Sequence, residues 1–151
     1  MNKIRVTKEF NFEMAHALYG YDGPCKNIHG HSYRLSVSII GEINQLENHP
    51  KIGMVVDFTD LKEIVNDQII NQFDHTLVLN ARSPHKEFVE KENIFEKIIL
   101  VDYQPTSENL LIDFVKRIIP FFFGNMKLHH LRLSETSTSY AEWYAEDNKS
   151  I

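Results

Sequence analysis

One thiol and two imidazoles stand within seven residues, Cys25-Lys26-Asn27-Ile28-His29-Gly30-His31, in a chain with a single cysteine and eight histidines. A two-residue step along an extended backbone puts His29 and His31 on the same side. Gly30 between them removes a side chain that could crowd a bound ion. Two imidazoles suit zinc, copper, nickel or iron, and zinc is the commonest choice without redox chemistry. A third ligand is needed, and His16 is the natural candidate. Further on, Asp74-His75 is either a polar helix end or an acid orienting an imidazole for proton transfer. Glu135 ends a face that carries Leu131 and Leu133. A carboxylate there is either a surface charge or an anchor for a ligand's N–H groups. Taken singly, each piece also occurs by chance on ordinary surfaces.

The elements that must hold these groups are legible as patterns. Residues 3 to 16 alternate, with Ile4, Val6, Phe10, Phe12 and Met14 on one face, which predicts a half-buried strand ending at His16. Residues 17 to 30 form a loop with Gly20, Gly23, Pro24 and Gly30. A second strand follows, with His31, Tyr33, Leu35, Val37 and Ile39 sharing one parity. If the two strands pair antiparallel, His16 and His31 lie near the same sheet end. A helix is predicted from Thr59, its N-cap, through Leu61, Ile64, Val65, Ile69 and Phe73, running into Asp74-His75. Residues 83 to 93 predict a short exposed helix, and Lys97 to Val101 a short strand. A second amphipathic helix starts at Thr106 or Ser107. Strands over 127–135 and 140–145 close the chain. The order β-β-α-α-β-β predicts an α+β fold: a four-stranded antiparallel sheet with helices on one face. Such a sheet leaves two edges open, which self-association into a closed barrel would remove.

Composition narrows the function. The 151 residues suffice for one domain with a real core, and no apolar run approaches a membrane span. The N-terminus lacks an apolar signal core, and one cysteine cannot form an internal disulfide; both fit a cytoplasmic setting. The net charge of −5 argues against nonspecific nucleic-acid binding.

Taken together, these residues carry a family. Phe12-Glu13-Met14-Ala15-His16, Cys25 through Tyr33, Gly53 through Leu61, Phe73 through His75, Pro105 through Asn109 and Ser134-Glu135-Thr136 occur in that order. In this the chain resembles the 6-pyruvoyl-tetrahydropterin synthase and 6-carboxytetrahydropterin synthase family, of the tunnelling fold. The resemblance implies zinc on His16, His29 and His31, Cys25 as catalytic base, His75 and Glu135 as relay residues, and Asp74 as the partner of His75. It implies Glu135 as pterin anchor, dihydroneopterin triphosphate as substrate, and trimers or hexamers with sites at subunit boundaries. The spacing from Cys25 to His29 resembles the bacterial queuosine-pathway enzymes, which make 6-carboxytetrahydropterin and release acetaldehyde. The segment from about 80 to 102 is longer than in the compact bacterial enzymes and reads as an insertion in a single domain, 1–151.

The expected activity is therefore zinc-dependent formation of 6-carboxytetrahydropterin. The alternative is triphosphate elimination to the 6-pyruvoyl product with the same residues. A nonenzymatic metal or pterin binder is a third reading, and the joint presence of Cys25, Asp74, His75 and Glu135 argues against it. A zinc hydrolase is weaker, because no carboxylate base adjoins the two histidines. Lys26 is a candidate for the triphosphate or a solvated loop lysine.

Overall fold

In the computed structural model, which describes residues 2–148, the predicted hairpin is the spine of the molecule. Strands β1 (Lys3–His16) and β2 (His29–Glu42) pair antiparallel over their full length, from Lys3 opposite Glu42 to His16 opposite His29. The alternation explains the packing. Phe10, Phe12, Met14 and His16 point into the core on β1, and Tyr33, Leu35, Val37 and Ile39 do so on β2.

The expectation of four antiparallel strands is corrected: among the described residues the sheet has six, in the order β4-β3-β1-β2-β5-β6. Strands β5 (Met126–Ser134) and β6 (Tyr140–Tyr144) extend it antiparallel beyond β2. On the other side β3 (Thr76–Asn80) runs parallel to β1, and β4 (Ile98–Val101) parallel to β3. β3 escapes a reading by alternation because Thr76, Leu77, Val78 and Leu79 are all buried. A parallel strand covered on both faces has no polar side to mark its period.

Helix α1 (Phe58–Val65) is capped two residues earlier than Thr59 would place it: the Asp57 carboxylate accepts from the Thr59 N–H at 2.8 Å. It passes through a π-helical turn (Asn66–Ile70) into α2 (Asn71–Phe73). The turn has a physical reason. Leu61, Val65, Ile69 and Phe73 recur every fourth residue and are all fully buried. Steps of four drift by about 40° each on a regular α-helix, and one wider turn returns Phe73 to the core side. Helix α4 (Ser107–Ile118) packs beside it, burying Leu110, Leu111, Phe114, Val115 and Ile118.

The expectation that helices cover one face only is also corrected. Helix α3 (His85–Glu92) sets Val89 against Ala17, Leu77 and Leu79, a second, smaller core of opposite parity to Met14 and Val78. The parallel β3–β4 pair creates this core, since both of its faces need cover. Among the described residues, no helix is long and apolar enough to cross a membrane.

Candidate metal and pterin site

The register of the central hairpin places the three histidines. His16 faces His29 directly, and His31 sits one pair further along on the same face, opposite Met14. Their ligand nitrogens all lie within 4.8 Å of one another. Each of two rings is oriented by a carbonyl: His16 Nδ1 donates to Pro105 O and His29 Nδ1 to Asn27 O, both at 2.7 Å. A carbonyl can only accept, so in the neutral rings Nε2 carries the lone pair. The two Nε2 atoms then face each other at 3.1 Å with no proton between them. His31 Nε2 is buried without a hydrogen-bond partner among the described residues. Converging lone pairs need a cation, and carbonyl-oriented imidazoles are the usual support of metal ligands. The donor set therefore fits a metal ion. Burial, above all, holds His16 below its ordinary pKa, and the Pro105 contact does not offset it. Burial likewise lowers His31 despite the Glu135 carboxylate. Both rings are thus kept in the neutral form that binds metal.

Gly30 does something different from leaving space for the ion. By alternation it points to the opposite sheet face and lines a cavity of about 910 Å³ shared with His75. A Cβ there would meet the Met14 carbonyl at 3.4 Å and Ala15 at 3.9 Å, ordinary contact distances.

Cys25 stands in a short 3₁₀ turn (Pro24–Lys26), in a loop closed by Leu18 N–H donating to Cys25 O at 2.9 Å. The half-buried thiol lines a cavity of about 280 Å³ with His16, Ser107, Glu135 and Tyr140. Glu135 follows β5 directly. One carboxylate oxygen accepts from Ser107 Oγ at 2.6 Å; the other faces His31 Nε2 at 3.4 Å without a hydrogen bond. A carboxylate has about four acceptor positions, so capacity remains for a ligand's N–H groups.

Sequence reasoning took Pro105-Thr106-Ser107 for a helix start and missed its service to the site. Thr106 does cap α4, accepting from Asn109 N–H at 3.3 Å. The residues on either side orient His16 and Glu135. Tyr33 was also missed, although its parity with His31 was the signal. It stacks on Phe12 at 5.2 Å, and its ring meets those of His16 and His31 edge to face. Burial, then the Glu135 and Cys25 charges, raise its pKa, so the hydroxyl stays neutral.

Asp74 and His75 are together but apart from Cys25. His75 Nδ1 lies 3.0 Å from the Asp74 carboxylate, which also accepts from Glu13 N–H at 2.8 Å. Burial opposes ionisation of Asp74, but the Glu13 N–H and the His75 ring outweigh it and hold its pKa low. His75 is 78% exposed and left-handed, with φ 54°. It lines the larger cavity, and Cys25 the smaller one.

The family model described as 6-pyruvoyl tetrahydropterin synthase matches residues 5–146. The chain is 33% identical to 6-carboxy-5,6,7,8-tetrahydropterin synthase of Haemophilus influenzae, over 93% of this chain and 98% of the relative. It is 29% identical to the Rickettsia bellii protein of the same name, over 92% and 99%. Among solved structures, 6-pyruvoyl tetrahydropterin synthase of Caenorhabditis elegans has a TM-score of 0.68 at 22% identity, covering 95% of this chain and 96% of that one. An uncharacterized Wolinella succinogenes protein has a TM-score of 0.73 at 20% identity, covering 95% and 99%. With the family model matched over nearly its whole length, this chain belongs to the 6-pyruvoyl tetrahydropterin synthase family.

Proposed function

We propose that this protein is a zinc-dependent lyase of 7-deazapurine (queuosine) biosynthesis. It converts 7,8-dihydroneopterin triphosphate and one water to 6-carboxy-5,6,7,8-tetrahydropterin, releasing acetaldehyde and triphosphate. The observation that carries the reading is that His16, one of three converging imidazoles, lines one cavity with the Cys25 thiol and the Glu135 carboxylate, and that Glu135 also faces His31 at 3.4 Å. The names of the Haemophilus and Rickettsia relatives supply the product.

His16, His29 and His31 would hold zinc, which supplies Lewis acidity toward the substrate's hydroxylated side chain. Glu135 accepts from two N–H groups of the guanidine-like pterin edge, with Ser107 fixing the carboxylate. Cys25 takes a proton from the side chain as thiolate. His75, oriented by Asp74, donates or relays protons on the other side. Internal redox shift, loss of triphosphate and carbon–carbon cleavage by one added water complete the reaction.

Cys25 and His75 line separate cavities in one chain, which supports a site completed at a subunit boundary. The fold would then be one tunnelling-fold domain whose sheets close a barrel in trimers or hexamers, with the 80–102 segment as an insertion and the protein cytoplasmic. Incubation with dihydroneopterin triphosphate and mass spectrometry of all products tests the reading. Acetaldehyde with the carboxylate is the expected result. Triphosphate release with a 6-pyruvoyl product and no acetaldehyde would favour the alternative, and tight binding without turnover would end both.

A further inference from the structure

His75 needs help to stay where it is. A left-handed backbone is unfavourable for a residue with a Cβ, and this imidazole, at φ 54°, stands mostly in the open. One side of its turn is tied to β1: His75 N–H donates to Glu13 O at 2.6 Å, and Glu13 N–H donates to the Asp74 carboxylate at 2.8 Å. The other side is tied to a residue 22 positions further along the sequence (97 − 75). Lys97 Nζ donates to Asn71 O at 2.9 Å and to Asp74 O at 2.7 Å. Asn71 opens the last helical turn before Asp74, where carbonyls have no partner in the helix and an ammonium is favoured. The lysine's own backbone is fixed, because Leu77 N–H donates to Lys97 O at 3.1 Å. Lys97 also lines the cavity that holds His75.

We infer that Lys97 is a positioning residue for His75, and that the segment between β3 and β4 serves the reaction by delivering its ammonium to the Asn71–Asp74 turn. This rests on the proposed proton-transfer role of His75. Helix α3 then has a purpose beyond surface cover: the segment that carries it returns the chain to the side of β3, with Lys97 just before β4 and its carbonyl bound by Leu77 N–H. An anion-binding role is disfavoured, since two of the three ammonium donors already serve carbonyls and the same cavity carries Glu13 and Glu96.

The test compares Lys97→Met, Lys97→Arg and His75→Ala in the metal-loaded protein. Lys97→Met should lower kcat by about 5- to 20-fold, the scale of a modest misplacement of a reacting group. KM and metal content should be unchanged, and Lys97→Arg should recover most of the loss. Independently of activity, hydrogen exchange of amides 71–76 should quicken in Lys97→Met and not in Lys97→Arg. Wild-type kcat and wild-type exchange in Lys97→Met, with His75→Ala inactive, would overturn this inference alone. A loss of kcat matched by lost metal and lower Tm, and not rescued by arginine, would also overturn it. Full turnover by His75→Ala would instead sink the role of His75, and the catalytic meaning of Lys97 with it.

Discussion

His16 is 1% exposed, while 78% of the His75 side chain stands open to solvent. Both are imidazoles at the end of the same sheet, but they are held differently. The His16 ring is fixed by a fourteen-residue strand ladder, by Pro105 O and by the tyrosine and histidine rings around it. His75 is fixed by a short turn in a strained conformation, tied by Glu13 and Lys97. A metal site must be rigid before the ion arrives, because its donors have to converge in the right tautomer. A proton-transfer arm must be accurate only when its partner groups are in place. Burial favours the neutral imidazoles of the first region, while exposure leaves the second region able to meet another surface.

The strongest attempt to break this comparison removes a ligand. His29→Ala and His31→Ala should each lose the metal and with it all turnover, as metal analysis and assay would show. Full occupancy in both variants would end the proposed centre. Next in size is Cys25→Ala, which should keep metal, fold and substrate binding yet lose about 10²–10⁴-fold in turnover, the usual worth of a positioned base. The loss should fall on kcat rather than KM. Wild-type turnover would leave the metal site standing and remove the mechanism.

Glu135→Gln keeps the shape and inverts one hydrogen-bond polarity. Substrate binding should weaken by about 1–3 kcal/mol, the cost of an unsatisfied buried group; calorimetry would measure it. Unchanged affinity would put Glu135 outside the pterin pocket.

The two regions should also respond to acid in separate windows. His16 and His31 are held below the ordinary imidazole value of 6.5. The unfolded chain therefore takes up protons first, and stability of the metal-free protein should fall as pH drops through about 6.5. Asp74 is held below 3.8, so its contribution is present above that value and is lost as pH falls beneath it. Urea midpoints between pH 8 and 3 would resolve the two. A flat profile from pH 8 to 5 would contradict the histidine assignment. The smallest expected effect is that of Gly30→Ala. Its Cβ would enter the cavity of His75, so metal content should stay whole while turnover drops by less than about tenfold. Loss of metal would show that Gly30 serves the ion after all.

Much of this was readable from the chain alone. The alternation over 3–16 and after His31 determined the hairpin, and with it the shared face of His16, His29 and His31, because side-chain direction in a strand is set by parity. The Thr106 cap and the apolar stripe of α4 were equally local. What the sequence could not show was who partners whom across long separations. β3 was hidden because a strand buried on both faces has no alternation, and the parallel pairing that joins it to β1 and β4 is set by packing rather than by pattern. Pro105 reaches His16 across 89 positions and Ser107 reaches Glu135 across 28. Local pattern decided which face each residue takes. Only the folded chain decided that a helix start would orient two site residues, and that Lys97 would close the turn of His75, since such contacts depend on where remote segments meet.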